Sequence, residues 1–175
     1  DPSVEGVRMG SLAGKSQKTE VLENINKLAK SQEIVFGNEE SFEVVGANKN
    51  KGAFVSPFLF LNNYPFKNLD CHDIEVFGPV ATIMPYKDVN EAIKLARLGK
   101  GSLVCSLVTN DMKLAEQFVL GASSMHGRIL ILNESCAKES TGHGSPMPLL
   151  THGGPGRAGG GEEMGGIRGI KHYMQ

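Results

Sequence analysis

Residues 80–132 read VATIMPYKDVNEAIKLARLGKGSLVCSLVTNDMKLAEQFVLGASSMHGRILIL. Val80-Ala81-Thr82-Ile83-Met84 is a short strand-forming run, and Asp88-Val89-Asn90-Glu91 carries a capping-box pattern that opens a helix. Val89, Ala92, Ile93 and Ala96 give that helix one apolar face. Leu103 to Val108 is a near-continuous apolar run, Asn110-Asp111 can cap a second helix, and Ala115, Phe118, Val119 and Ala122 form its stripe. Arg128 to Leu132 is a further apolar run. The order strand, helix, strand, helix, strand, with short turns and strands apolar on both faces, predicts an α/β fold of parallel strands joined by right-handed helical crossovers.

Working outward, Val21, Leu22, Ile25, Leu28 and Ala29 recur at helical spacing between Ser16 and Lys30, which predicts an amphipathic surface helix. Ile34-Val35-Phe36 reads as a short strand closed by Gly37-Asn38, and the polar stretch from Glu39 to Gly52 as a loop with room for a short strand near Phe42. Ala53 to Leu61 is rich in strand-favouring residues, but Pro57 cannot donate to a ladder, so an edge strand or an irregular extended segment is predicted there. Past Asn133 the texture changes, because half of the 22 glycines fall between Gly142 and Gly169. Such a density suits either a flexible tail or a loop whose backbone approaches a ligand or another chain closely.

The whole chain has 175 residues, enough to bury an apolar core, so one domain is expected. With 18 Lys+Arg against 19 Asp+Glu, the net charge of -1 leaves no broad footprint for nucleic acid or an anionic membrane. No apolar run reaches membrane-spanning length and no signal segment opens the chain. Cys71, Cys105 and Cys136 are odd in number and lack a C-x-x-C pair, which argues against a disulfide framework or a metal site and for a reducing, cytoplasmic setting. A chain that opens on Asp1-Pro2-Ser3 and stops at Tyr173-Met174-Gln175 is expected to be an excised piece of something longer.

Several motifs yield to plainer explanations. Gly154-Pro155-Gly156-Arg157-Ala158-Gly159 matches G-x-G-x-x-G, yet it follows no strand and leaves no room for a later acidic residue, so a glycine-rich loop outweighs dinucleotide binding. Cys136 has Lys138 nearby, and His126 or His143 could act as its base after folding, but a small packed cysteine is the commoner case. Cys71-His72-Asp73 lacks a fourth ligand and reads as solvated loop, and Cys105 as core. The informative segment is Glu75-Val76-Phe77-Gly78-Pro79-Val80, where a carboxylate and an aromatic stand two residues apart before a strand. A carboxylate there can accept two hydrogen bonds from a ribose diol while the ring packs on a sugar or nicotinamide, although simple alternation at a strand entrance explains the pattern equally well.

Glu75-Val76-Phe77-Gly78-Pro79-Val80 resembles the E-[IV]-F-G-P-V signature of the aldehyde dehydrogenase superfamily. The resemblance runs along nearly the whole chain, through Asp1-Pro2 to Leu12, Phe54-Val55-Ser56-Pro57 and the strand ending in Asn133. Asn133 to Pro146 and His152 to Glu163 are similar to one branch of that family, which acts in aerobic aromatic-acid breakdown. That branch includes the aldehyde dehydrogenase domain of the phenylacetate-pathway ring-opening protein and the semialdehyde dehydrogenase of the benzoyl-CoA pathway, which oxidise CoA-linked semialdehydes to acids. Thr151-His152-Gly153-Gly154 stands where the wider family has P-F-G-G, a departure that puts a generic short-chain aldehyde preference in doubt.

The resemblance implies a three-layer α/β sandwich with a mostly parallel sheet flanked by helices, residues 1–175 being the carboxy-terminal part of one catalytic domain. It implies NAD or NADP as cofactor, a small-molecule aldehyde as substrate, CoA-linked in the branch it is similar to, and a homo-oligomer, usually a dimer, as the parent. Glu75 would hold the nicotinamide ribose and Phe77 would pack beside the nicotinamide, while Asn133, His152 and Gly153 would line the aldehyde side. The implied chemistry is cysteine attack on the aldehyde, hydride transfer from the thiohemiacetal to NAD(P)+, and thioester hydrolysis. The nucleophile of the G-Q-x-C passage, the general-base glutamate and the cofactor-binding domain would lie before Asp1. Alternatives are a general aldehyde dehydrogenase with another substrate and a noncatalytic dehydrogenase-like protein. The 175-residue chain alone is predicted to be inactive, and reduced nicotinamide formed by the pure chain with an aldehyde would refute this.

Overall fold

The computed structural model describes residues 3–136, 138–139, 153–159, 167, 170–171 and 174. The chain divides into two compact units, Asp1–Pro85 and Tyr86–Gln175.

In the first unit, helix α1 (Lys15–Leu28) buries Val21, Asn24, Ile25 and Leu28, a stripe at three- and four-residue spacing. Of the residues predicted for that stripe, Leu22 is half-buried and Ala29 is exposed, because the helix ends one residue before Ala29. The stripe meets strand β2 (Phe58–Leu61), whose inward residues Phe58 and Phe60 complete a core with Val55. Strand β1 (Glu33–Phe36) pairs antiparallel with β2, and β2 pairs in parallel with strand β3 (Val80–Ile83), Phe58 standing opposite Val80. β2 is therefore the central strand, where the sequence predicted an edge. Pro57 lies just outside the ladder, which begins at Phe58, whose N–H donates to the Pro79 carbonyl at 2.9 Å. Phe42 belongs to a loop rather than a strand, and Lys49 Nζ ties that loop together by donating to the carbonyls of Glu39, Glu40 and Phe42, each at 3.1 Å.

Cys71-His72-Asp73 is not solvated loop. It forms most of the short helix α2 (Asp70–Asp73), in which His72 is buried with Nε2 3.2 Å from the Pro65 carbonyl. Cys71 is half-buried, and its Sγ accepts from Asn62 Nδ2 at 3.3 Å.

In the second unit, helix α3 (Val89–Leu98) is followed by strand β4 (Ser102–Val108), helix α4 (Met112–Ala122) and strand β5 (His126–Leu132). β4 and β5 run parallel, with α4 as the crossover. The capping box of α3 is displaced by one residue: Asp88 Oδ1 accepts from Glu91 N–H at 2.9 Å, but the Glu91 carboxylate receives the N–H of Lys87 rather than that of Asp88. Asp111 caps α4 by accepting from the N–H groups of Lys113 and Leu114. Leu95, absent from the predicted face of α3, is its buried residue, and Val89, Ala92, Ile93 and Ala96 are half-buried around it. β3 and β4 belong to different sheets, so the continuous sheet expected from the strand–helix alternation comes as a three-stranded and a two-stranded piece. His126 is buried at the start of β5 with Nδ1 2.9 Å from the Ala122 carbonyl, which makes it a satisfied core histidine and removes it as a base for Cys136 at the far end of the strand.

Phe60 is fully buried between α1 and the sheet. Phe60→Ala is expected to cost about 3–5 kcal/mol of folding stability, read from urea denaturation.

Candidate active-site elements

Glu75, Val76 and Phe77 lie between α2 and β3, after extended Ile74 (φ -98°, ψ 111°) and leading into a tight turn in which Gly78 N–H donates to the Val76 carbonyl at 2.8 Å. Val76 is half-buried against the core of Val21, Ile25 and Phe58, whereas Glu75 and Phe77 on either side of it are exposed. Phe77 is 64% exposed, and the Glu75 carboxylate has no hydrogen-bond or ion-pair partner among the described residues. A free carboxylate and an uncovered ring two residues apart suit a ribose diol and the planar heterocycle attached to it.

Two contacts that sequence reasoning missed set the position of this loop. A Cβ added to Gly78 would stand 2.9 Å from both methyls of Val21, so only glycine lets α1 lie this close beneath Phe77. Above it, Gln17 Nε2 donates to the Phe77 carbonyl at 2.7 Å, while Gln17 Oε1 accepts from Ala13 N–H at 3.0 Å. The Gln17–Phe77 contact joins residues 60 apart in the chain, which is why no local pattern announces it.

In the second unit, Asn133 follows the last residue of β5, at the carboxyl edge of the parallel β4–β5 pair. Ligands of parallel α/β sheets gather at that edge. Asn133 Oδ1 accepts from Ser135 N–H at 3.0 Å, Ser135 Oγ–H at 2.6 Å and Cys136 N–H at 3.2 Å, an Asx turn that the Asn-x-Ser pattern could have signalled. Asn110 Oδ1, beyond the end of β4, accepts from Glu134 N–H at 2.9 Å and ties the same turn to the neighbouring strand.

Gly153 sits elsewhere: it is buried, with its carbonyl against Gly127 at the amino end of β5, where a side chain at Gly127 would collide with it. Asn133 lies six residue steps along β5 from Gly127, about 20 Å, so the described geometry does not bring Gly153 and Asn133 together. His152 and His143 lie outside the described residues. The 154–159 glycine motif presses on the chain's own backbone, Arg157 N–H donating to the Lys100 carbonyl at 3.2 Å.

Burial pushes the Cys71 thiol above its ordinary 9.0, an effect the Asn62 hydrogen bond partly offsets, and burial likewise raises Cys105. Neither has the environment of an activated nucleophile. Cys136 is half-buried within the Asn133 turn, where its Sγ accepts from Asn133 N–H at 3.4 Å. Among the described residues no group of His, Cys, Asp and Glu could hold a metal ion, and no helix is long and apolar enough to cross a membrane.

Gly78→Ala is expected to destabilise the protein by about 1–3 kcal/mol by overpacking against Val21. A double-mutant cycle with Val21→Ala, which removes both methyls, should show a favourable coupling of at least about 0.5 kcal/mol in thermal or urea unfolding.

Residues 1–175 match the Aldehyde dehydrogenase family. Protein MaoC of Klebsiella aerogenes is 52% identical over 168 residues, which is 95% of this chain and 48% of that protein. The 3,4-dehydroadipyl-CoA semialdehyde dehydrogenase of Aromatoleum evansii is 41% identical over 155 residues, 89% of this chain and 30% of that protein. The crystal structure of succinic semialdehyde dehydrogenase from Streptococcus pyogenes in complex with NADP+ shares the fold, with a TM-score of 0.73 at 23% identity over 94% of this chain and 32% of that one. The chain thus spans about half, or less, of the length of these curated relatives. With the E-V-F-G-P-V loop in place and the family match running from end to end, the chain belongs to the aldehyde dehydrogenase family.

Proposed function

We propose that this chain is the carboxy-terminal part of the catalytic domain of an NAD(P)-dependent aldehyde dehydrogenase that oxidises a CoA-linked semialdehyde to the acid, in aerobic aromatic-acid breakdown of the phenylacetate type. The observation that carries the substrate class is the 41% identity with a CoA-semialdehyde dehydrogenase across 89% of the chain. A cytoplasmic, homodimeric parent goes with this reading.

In this reading Glu75 accepts hydrogen bonds from the nicotinamide ribose hydroxyls and Phe77 packs beside the nicotinamide ring. NAD(P)+, when bound, supplies the hydride acceptor. Gln17 holds the Phe77 carbonyl, so the ring is carried on a backbone fixed from α1 rather than on a free loop. Asn133 lies on the aldehyde side, with His152 and Gly153 belonging to the loop that follows it. The attacking thiolate and the carboxylate that activates water come from the part of the catalytic domain preceding Asp1. The burial of Cys71 and Cys105 and the turn around Cys136 support leaving those three out of the chemistry.

The intact protein is expected to reduce its cofactor faster with a CoA-linked semialdehyde than with a matched aliphatic aldehyde, as followed by reduced-nicotinamide absorbance with NAD+ and NADP+ in separate assays. Turnover of the simple aldehyde alone would replace the substrate class, and turnover of neither would favour a noncatalytic protein. Because the Glu75 carboxylate is exposed, Glu75→Ala should raise the cofactor KM about 10- to 100-fold at an unchanged thermal midpoint, as expected for two lost hydrogen bonds of about 0.7–1.4 kcal/mol each at a solvent-exposed group.

A further inference from the structure

The stretch from Asn38 to Gly52 forms no strand or helix, so its main-chain carbonyls have no ladder to supply them with donors. Each end is closed by a turn of its own. At one end Asn38 Oδ1 accepts from Glu40 N–H at 2.7 Å, and the Asn38 carbonyl accepts from Ser56 Oγ–H at 2.9 Å. At the other, Asn48 Oδ1 accepts from Asn50 N–H at 2.9 Å, and the Asn48 carbonyl accepts from the N–H groups of Lys51 and Gly52. Lys49, half-buried, joins the two ends. Its ammonium stands 3.1 Å from each of three carbonyl oxygens, those of Glu39, Glu40 and Phe42, and 3.9 Å from the centre of the Phe42 ring. All three of its N–H bonds are spent on main chain. Among the described residues no carboxylate lies within ion-pair distance of it.

Carbonyl dipoles and a ring face gathered around one positive charge, without a counter-ion, are the surroundings in which a protein holds a monovalent cation. We infer that Lys49 serves this loop as a built-in monovalent cation: its tethered charge gathers the carbonyls of Glu39, Glu40 and Phe42 and latches the loop, and loss of that charge opens residues 39–52 while β2 stays folded. The opening is local because no residue from Glu39 to Gly52 is buried, the core beginning only at Ala53. The latch lies wholly within the first unit and is independent of the dehydrogenase reading.

Amide hydrogen exchange on the intact protein reads the latch along the chain. Lys49→Met keeps most of the stem but removes the charge and every donor. Residues 39–52 are then expected to exchange about 10- to 100-fold faster than in the wild type, the range for lost hydrogen bonds to a charged group, with Phe58–Leu61 unchanged. Lys49→Arg keeps charge and reach, although a planar fork fits three carbonyls around one point less well than an ammonium does. Lys49→Gln keeps an N–H2 donor without the charge. Protection of the loop is expected to fall in the order wild type, Lys49→Arg, Lys49→Gln, Lys49→Met. Wild-type exchange in Lys49→Met overturns the inference, as does protection in Lys49→Gln equal to that in Lys49→Arg, since charge would then be irrelevant. Faster exchange that spreads equally into Phe58–Leu61 overturns it too, because Lys49 would then support the whole unit rather than latch one loop.

Discussion

The approach of Val21 to Gly78 is the contact around which the first unit is arranged. Val21 is almost fully buried on the inner face of α1, beside Ile25 and Leu28, and those three form the floor on which Phe58 and Phe60 pack. Gly78 lets the loop before β3 come down onto that floor. Once it does, Pro79 offers its carbonyl to Phe58 N–H and the parallel β2–β3 register starts with Phe58 opposite Val80. The same descent fixes which way the preceding residues face. Val76 is drawn inward, while Glu75 and Phe77 on either side of it stay exposed. A core contact thus orients two side chains that contribute nothing to the core themselves.

The second unit uses its two sheet edges differently. At the amino edge, glycines allow backbone to lie on backbone: Gly153 against Gly127, and the turn after Pro155 against Lys100. Glycine density there serves packing of the chain on itself. At the carboxyl edge, polar side chains close the strand ends instead, with Asn133 capping its own turn and Asn110 fastening it across to β4. The glycine contacts and the polar strand-end turns are therefore not in the same place among the described residues, although they adjoin in the chain.

What was legible in the sequence follows from this arrangement. Helices α1, α3 and α4 could be read because amphipathic spacing and Asp caps are local signals, and the parallel β4–β5 pair could be read from two apolar runs joined by one capped helix. The central position of β2 could not. Pro57 looked like a barrier within a strand, but a proline one residue before the ladder costs no hydrogen bond, and only the partner at Pro79 shows where the ladder starts. Leu95 was missed because burial on α3 depends on how it meets α4, where Ile93 lies against Gly121, and not on spacing within α3 alone. His126 illustrates the converse, a residue with catalytic chemistry whose ring is held by the Ala122 carbonyl.

The residues proposed to bind the cofactor obey a different rule from the fold. Glu75 is an exposed glutamate and Phe77 an exposed phenylalanine, and neither leaves a periodicity or burial signature that composition could disclose. Their significance came from resemblance to a motif. The structure adds a reason for the motif's form: the valine anchors the loop, the glycine permits its approach to α1, and Glu75 and Phe77 are left exposed beside them. Gln17 completes the arrangement from another element by bonding to a main-chain carbonyl, so its contribution does not depend on which side chain Phe77 carries. Asn133 follows the same logic in the second unit, where two backbone N–H groups set the direction of a side chain whose other end stays free. In both places bonds to the main chain take part: Gln17 on the Phe77 carbonyl, and the Ser135 and Cys136 N–H groups on Asn133, where Ser135 Oγ–H adds a side-chain bond. Bonds of that kind are insensitive to salt and involve little additional side-chain ordering, so orientation is secured before any ligand is present.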